Sequence, residues 1–368
     1  MAMRFYPLLF LFLLVKVTAF AQVDSLELKH PKHDDGFWAS FDDRPRTNSA
    51  RICFYNVENL FDTENDPEKN DDAFTPDGNY RWTKRRYWDK QNKLAKVIVA
   101  MGGWDCPEIV GMCEVENMKC FEDMIYKTAL KKGNYAAIHY DSPDSRGIDI
   151  GMIYRKDRFR VLHSEPIPIT FPEDPNSKTR DVLYVSGLFR FSKDTVHLFF
   201  NHWPSRYGGY AATIGKRNRA ANILRAKVDS IQNINVESTI LILGDFNDYP
   251  SDESVAKHLR ALPDTSNSKE NDLINLMYPI HKQGKYGSHK FQGQWGILDQ
   301  IIVSQSLFVK ESGLRLSENG AKIFRPPFLL VEDKAYLGYQ IYRTYMGFKY
   351  QGGYSDHLPV FVDIYEKE

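Results

Sequence analysis

Five short segments each set polar side chains at the edge of an apolar run, where a strand end can present them to a cleft. Asn56 stands in the otherwise apolar Ile52-Cys53-Phe54-Tyr55-Asn56-Val57. An amide there must satisfy both its carbonyl and its NH₂, which a metal ion or a neighbouring carboxylate can do, as can capping of the following turn. Glu114 ends the run Ile109-Val110-Gly111-Met112-Cys113. A lone carboxylate at that point suits a hard divalent cation, a surface-emergent Glu being the plainer alternative. His202 follows residues 195–200 and can donate to a phosphoryl oxygen or protonate a leaving group. Arg206 carries the planar fork that holds phosphate through two hydrogen bonds. Thr239-Ile240-Leu241-Ile242-Leu243 runs into Gly244-Asp245-Phe246-Asn247. There Asp245 can orient or deprotonate a water, and Asn247 can hold that water or the phosphate. Tyr354-Ser355-Asp356-His357 opens the last apolar run. Neighbours on an extended chain point to opposite faces, so Asp356 is assigned to a metal and His357 to the attacking water. Asp299, in Leu298-Asp299-Gln300-Ile301, is suited to orient that imidazole as the buried acid of a triad does. The set is rich in oxygen and free of thiolates. That favours Mg²⁺, with Mn²⁺ or another divalent cation as the alternative, over zinc or copper, and it suits attack of water on a phosphoester.

The elements that must position these groups follow from the apolar periodicity. Residues 51–57, 108–112, 135–140, 148–154, 159–163, 181–191, 195–200, 239–243, 298–303 and 358–364 read as strands. Residues 83–101, 117–130 and 212–231 carry helical spacing. Residues 62–79 form an acidic loop punctuated by Pro and Gly. It lacks the residue order of a calcium loop, so a solvated loop is expected. Strands spread along the whole length with helices between them predict two sheets stacked between helical layers.

In this order the motifs resemble those of the endonuclease/exonuclease/phosphatase superfamily, over roughly residues 51–364. The resemblance implies a four-layered α/β sandwich, with two packed β-sheets flanked by helices, and a Mg²⁺-dependent hydrolase acting on phosphoester bonds. Asn56 and Glu114 fall on the family's metal-binding Asn and Glu, and Asp245 and Asn247 on its Asp-x-Asn pair. Asp356 and His357 fall on the terminal Asp-His, His357 being the general base, and Asp299 on its orienting acid. His202 matches the second histidine of the deoxyribonuclease-like and sphingomyelinase-like branches. Cys113 stands where the family usually has Gln. Arg146-Gly147-Ile148-Asp149-Ile150-Gly151 also resembles a family turn and strand, with Asp149 as a further candidate. The Tyr-rich residues 325–353, including Arg325, Arg343, Tyr345 and Tyr350, are expected to form substrate-facing loops. The implied function is an exported phosphodiesterase of endonuclease type. A phosphomonoesterase or phospholipid diesterase on the same core is the alternative, and a non-catalytic binding module is the reading of another class.

Residues 1–21 read as a cleaved export signal: Arg4, the apolar residues 8–15 and Ala19-Phe20-Ala21 before the cut. The run is too short to span a bilayer, so no stable membrane span is expected after cleavage, and the destination is periplasmic or secreted. Residues 22–50 read as a polar leader and residues 51–368 as the catalytic domain. Over all 368 residues, 48 basic side chains balance 48 acidic ones, and 42% of residues are hydrophobic. That composition excludes a disordered chain and one that holds nucleic acid by bulk positive charge. Loss of the signal removes Arg4 and Lys16 and leaves 46 basic against 48 acidic residues, so DNA or RNA as a partner must be met locally. Of the four cysteines, Cys53 and Cys113 read as buried thiols, whereas Cys106 and Cys120 are free to pair or not.

Overall fold

The computed structural model describes residues 46–368, so the expected export signal and most of the polar leader lie outside the described residues. Strand β1 (Ser49–Leu60) leads through helix α1 (Lys84–Gly102) to β2 (Ile109–Val115), then α2 (Met118–Lys127), β3 (Tyr135–His139) and β4 (Asp149–Arg155). Strands β5 (Phe159–Ile167), β6 (Val182–Phe189) and β7 (Thr195–His202) follow. Helix α3 (Tyr210–Gln232) joins β7 to β8 (Thr239–Asp245). Beyond β9 (Ala261–Leu262) and β10 (Leu273–Asn275) come α4 (Tyr278–Gln283), the hairpin β11 (His289–Phe291) and β12 (Gln294–Gly296), and β13 (Asp299–Ser304). The chain continues through α5 (Ser306–Val309) and β14 (Gly313–Ile323) into the short strands β15 (Leu330–Glu332), β16 (Tyr339–Ile341), β17 (Tyr345–Met346) and β18 (Lys349–Tyr350). It ends in β19 (Val360–Lys367).

The first sheet has the order β14-β19-β1-β2-β4-β3 and the second β5-β6-β7-β8-β13-β10-β9. Each contains a parallel pair joined by a long helix, β1 with β2 through α1 and β7 with β8 through α3. A parallel pair needs such a crossover, because a tight turn only returns the chain antiparallel. Alternation along β8 shows how the layers stack: Leu241 and Leu243 enter the core between the sheets, whereas Ile240 and Ile242 pack with Ala220, Leu224 and Val228 of α3. The sheets approach closely at Gly111, where a Cβ would lie 2.0 Å from the Phe200 ring. Helix α1 is capped by the Thr83 side chain and α2 by that of Asn117. The result is the expected α/β sandwich.

Several expectations are refined. β1 starts at Ser49 and runs to Leu60, and Arg46 is already buried against Glu108 at 3.1 Å. Strand β14 was not expected; it is long, but its mixed Ser, Glu, Asn and Lys content hides the pairing with β19 that forms it. All four cysteines are free thiols, so Cys106 and Cys120 do not pair. The acidic loop is irregular apart from a short helical turn at Asp72–Phe74. No helix among the described residues is long and apolar enough to cross a membrane.

Candidate active site

Three of the expected residues meet on one rung of the second sheet. Parallel pairing of β7 with β8 sets His202 beside Asp245, and antiparallel pairing of β13 with β8 sets Asp299 on its other side. From the first sheet, β1 and β2 bring Asn56 beside Cys113. Their register then breaks between Asn56 and Leu60, and the pairing of β2 with β4 breaks between Cys113 and Val115. Such bulges re-aim a side chain at a strand end. The backbone is left-handed at Glu58 (φ 51°), Asn59 (φ 54°), Glu114 (φ 63°) and Asn247 (φ 50°). Non-glycine residues accept that conformation at a cost of order 1 kcal/mol each, and here it turns the chain just past the strand ends that carry the cluster.

The side chains converge. Asn56 Nδ2 donates to Glu114 Oε1 at 3.2 Å and to Asp245 Oδ2 at 3.0 Å, while its Oδ1 accepts from the Glu58 amide. It therefore orients two carboxylates across the gap between the sheets. Glu114 Oε2 accepts from the Asn59 amide at 2.9 Å. His202 Nε2 lies 3.8 Å from both Glu114 Oε1 and Asp245 Oδ2. His357 Nδ1 is 2.6 Å from Asp299 Oδ2, and its Nε2 is 3.8 Å from Asp245 Oδ2. Ligand atoms of Asp245, Asp299 and His357 lie within 4.8 Å of one another, as do those of His289, Asp356 and His357. Asn247 donates from its backbone to Asp245 Oδ1 at 2.9 Å and from its amide to the Trp203 carbonyl at 3.0 Å, which locks the loops after β7 and β8 together.

The electrostatics separate the two histidines. Burial works against charge on His357, but Asp299 and Asp245 outweigh it and hold the imidazolium well above its ordinary range. Burial, reinforced by Arg180, Arg146 and His357, drives His202 well below that range and keeps it neutral. Asp245 is raised to about 6, chiefly by burial, with His357 opposing and Asp299 adding to the rise. Burial of Asp356 is overcome by Arg343 and then His357, which lower it.

Two of the expected residues carry ion pairs. Arg206, read as a phosphate clamp, has Nη2 bound to Asp248 at 3.0 Å and Asp252 at 2.5 Å, and its Nε donates to the Asn247 carbonyl at 2.6 Å. It shapes the Asp245–Asn247 turn. The acids that hold it, buried Asp248 and half-buried Asp252, were not singled out because local spacing carries no trace of partners more than 40 residues away. Asp356, read as a metal ligand, is paired with Arg343 Nη2 at 2.8 Å. Asp149 sits at the rim, opposite Val115, accepting from the Ser142 backbone at 2.9 Å and lying 3.3 Å from His139 Nε2. The site also contains residues that sequence reasoning passed over: Glu58, Lys90, Arg180 and His289. A Glu two residues after Asn56 and a Lys on the buried face of α1 were the available signals.

A hard cation fits this donor set. The carboxylates of Glu114 and Asp245 meet at the Asn56 amide, Asp299 and Asp356 each lie within 4.8 Å of His357, and no thiolate stands among these donors. Glu114 and Asp356, with Asn56 beside them, would hold it.

Solved structures share this arrangement of the chain. The catalytic domain of human Nocturnin with bound sulfate is similar with a TM-score of 0.53 at 17% identity, covering 87% of this chain and 95% of that one. A humanized D. rerio TDP2 gives 0.52 at 15% identity, covering 86% and 99%. An endonuclease/exonuclease/phosphatase family protein from Bacteroides thetaiotaomicron gives 0.51 at 14%, covering 87% and 99%. No curated protein matches the sequence. The description of the endonuclease/exonuclease/phosphatase family, whose members are phosphoesterase hydrolases, matches residues 51–366, and the chain belongs to that family.

Proposed function

We propose that this protein is an exported, Mg²⁺-dependent phosphodiesterase of endonuclease type. The observation that carries the reading is the buried His357–Asp299 pair facing Asp245, with neutral His202 on the adjoining strand. Asp299 fixes His357 Nδ1, so Nε2 faces the site; it is free to take a proton from water once the field of Asp245 and Asp299 that keeps the ring charged is offset by a bound cation. Asp245, 3.8 Å away, orients that water. Neutral His202 donates to a phosphoryl oxygen or to the leaving oxygen. Asn247, on its locked turn, steadies the phosphate. A bound divalent cation would polarise a phosphoryl oxygen and offset the negative field of the carboxylates.

A buried acid–imidazole pair aimed with a third carboxylate at one gap between the sheets is more than packing requires, which argues against a silent binding module. The basic run 216–219 gives little support to a long duplex track, because Arg217 is fully buried on Asp248 at 2.8 Å. Similarity to D. rerio TDP2 complexed with a single-stranded DNA product favours a single strand or short diester instead. The pattern of residues 1–21 supports the export part of this reading, with the periplasm or the outside of the cell as the destination.

The test is a panel of plasmid, single-stranded DNA, RNA, a simple phosphodiester, inositol phosphates and sphingomyelin, assayed with MgCl₂ and again with excess EDTA. Metal-dependent cleavage of the single strand or the simple diester is expected. Turnover unaffected by EDTA, or confined to phosphomonoesters or sphingomyelin, overturns the reading.

A further inference from the structure

The excursion between β14 and β19 is anchored on the catalytic cluster by buried charges. Glu58, two residues after Asn56, accepts from the Thr344 amide at 2.6 Å and from Arg343 Nε at 3.1 Å. Lys90 of α1 donates to the Glu58 carbonyl at 3.1 Å, to the Tyr354 carbonyl at 2.7 Å and to the Thr344 hydroxyl. On the other flank, His289 bridges to His357, their ring centroids 4.7 Å apart. The next residue, Lys290, pairs with Asp333 at 2.6 Å, both side chains almost fully buried. Burying ions is costly unless each is paired, so apolar packing would be the cheaper way to seat this segment. Charged anchors give it a fixed position instead.

What they position is Arg343. Its Nε is held by Glu58 and its Nη2 by Asp356, which fixes the guanidinium plane at the edge of the acidic cluster. Among the described residues Nη1 has no protein partner, and the side chain is 38% exposed. A planar fork held on one side by carboxylates is pre-organised to take a phosphate on the other. Behind it opens a cleft of about 650 Å³, whose lining includes Tyr336, Ile341, Tyr342 and Met346. That volume lies within the range of small-molecule sites; its apolar and tyrosine faces suit a flat aromatic group, and Glu332, Lys334 and Lys349 line other parts of it.

We propose that Arg343 binds the phosphate of the substrate and that the cleft behind it receives the aromatic ring of a nucleotide-type diester. This rests on the phosphodiesterase reading and gives it a substrate class. The ring enters between the exposed side chains of Tyr336 and Met346, while the phosphate spans from Arg343 to the histidines.

Two esters sharing the p-nitrophenyl leaving group separate the parts: p-nitrophenyl thymidylate, which carries a nucleobase besides that ring, and p-nitrophenyl methyl phosphate, which carries only a methyl group in its place. The variants are Arg343→Ala, Arg343→Lys and the double variant Tyr336→Ala with Met346→Ala, each checked by thermal melting. Wild type is expected to prefer the thymidylate ester. Arg343→Ala raises KM for both esters about ten-fold or more with a smaller change in kcat, and Arg343→Lys restores part of the loss. The double variant erodes the preference for the ring by roughly 5- to 150-fold, the span of one base stacked on an aromatic side chain. Calorimetric titration with thymidine monophosphate supplies a readout free of turnover, and binding should weaken in Arg343→Ala and in the double variant. If wild type binds the nucleotide through these residues yet hydrolyses neither ester, the subsite stands and the enzymatic reading falls. If both esters are hydrolysed with equal efficiency, or KM and nucleotide binding are unchanged in Arg343→Ala, the subsite is overturned and the phosphodiesterase reading stands.

Discussion

Replacing Asp299 with asparagine preserves the shape of the site and removes one charge. The carboxylate is fully buried, and its Oδ2 lies 2.6 Å from His357 Nδ1. Its other oxygen, Oδ1, is buried with no hydrogen-bond partner. An asparagine must put its NH₂ in one of those two places. Facing His357, it donates to Nδ1 and forces the proton onto Nε2, the nitrogen that must accept a proton from water. Facing the other way, it buries an unsatisfied donor at a cost of about 1–3 kcal/mol and leaves only a neutral acceptor for an imidazolium. Either outcome disables the base. General-base catalysis is worth roughly 10²- to 10⁴-fold, or about 3–5.5 kcal/mol of activation free energy. The expected result is therefore a fall of about that size in kcat for p-nitrophenyl thymidylate at saturating MgCl₂, with a melting temperature close to that of wild type. A folded Asp299→Asn protein with kcat within about three-fold of wild type would refute the role given to this pair.

Other consequences can be read in the same way. Burial, aided by Lys227, depresses His197 to about 4, and its Nδ1 lies 2.7 Å from the Tyr184 hydroxyl. The unfolded chain takes up a proton below about 6.5 and the folded one only near 4, so stability is full above 6.5 and falls between those values. The ceiling is about 3 kcal/mol, reduced to about 1–2 by solvent at a partly exposed ring, and His197→Gln should flatten this slope in urea titrations across that range. Gly111→Ala drives a methyl into the Phe200 ring and should lower unfolding free energy by about 3 kcal/mol or more, whereas Gly215→Ala, in open space on α3, should raise it by about 0.5–1 kcal/mol; equal effects in chemical denaturation would contradict the packing described. Glu114→Gln should weaken Mg²⁺ binding at least about ten-fold by calorimetry, and an unchanged isotherm would remove Glu114 from the metal site.

What the sequence made legible is the set of groups that end strands. Asn56, Glu114, His202, Asp245, Asp299 and His357 stand out because a polar residue on an apolar run has few structural uses, and the topology carries all six to one end of the two sheets. The helices carrying α1 and α3 were legible for the same reason, from apolar spacing. What stayed hidden depends on partners far away in the chain. Glu58 acts through Arg343, 285 residues later, and no local pattern announces that meeting. Arg206 looked free because its acids, Asp248 and Asp252, are brought to it by a turn rather than by spacing. Arg217 sits in a run that reads as a basic helical face, yet it is wholly buried against Asp248. Left-handed backbone at Glu114 was equally invisible, since glutamate carries no preference for it. Charge partners and bulges are decided by tertiary structure, and they are what converts a list of polar residues into a site.

The central claim is that His357 activates water for attack on a phosphodiester at a metal-loaded site. It is tested most directly by the rate of p-nitrophenyl thymidylate hydrolysis by wild type and His357→Ala, each titrated with MgCl₂ from a metal-free start. The account predicts metal-dependent turnover in wild type and a loss of about 10²- to 10⁴-fold in folded His357→Ala at every Mg²⁺ concentration. Turnover by His357→Ala that matches wild type, or wild-type turnover that needs no metal, would contradict it.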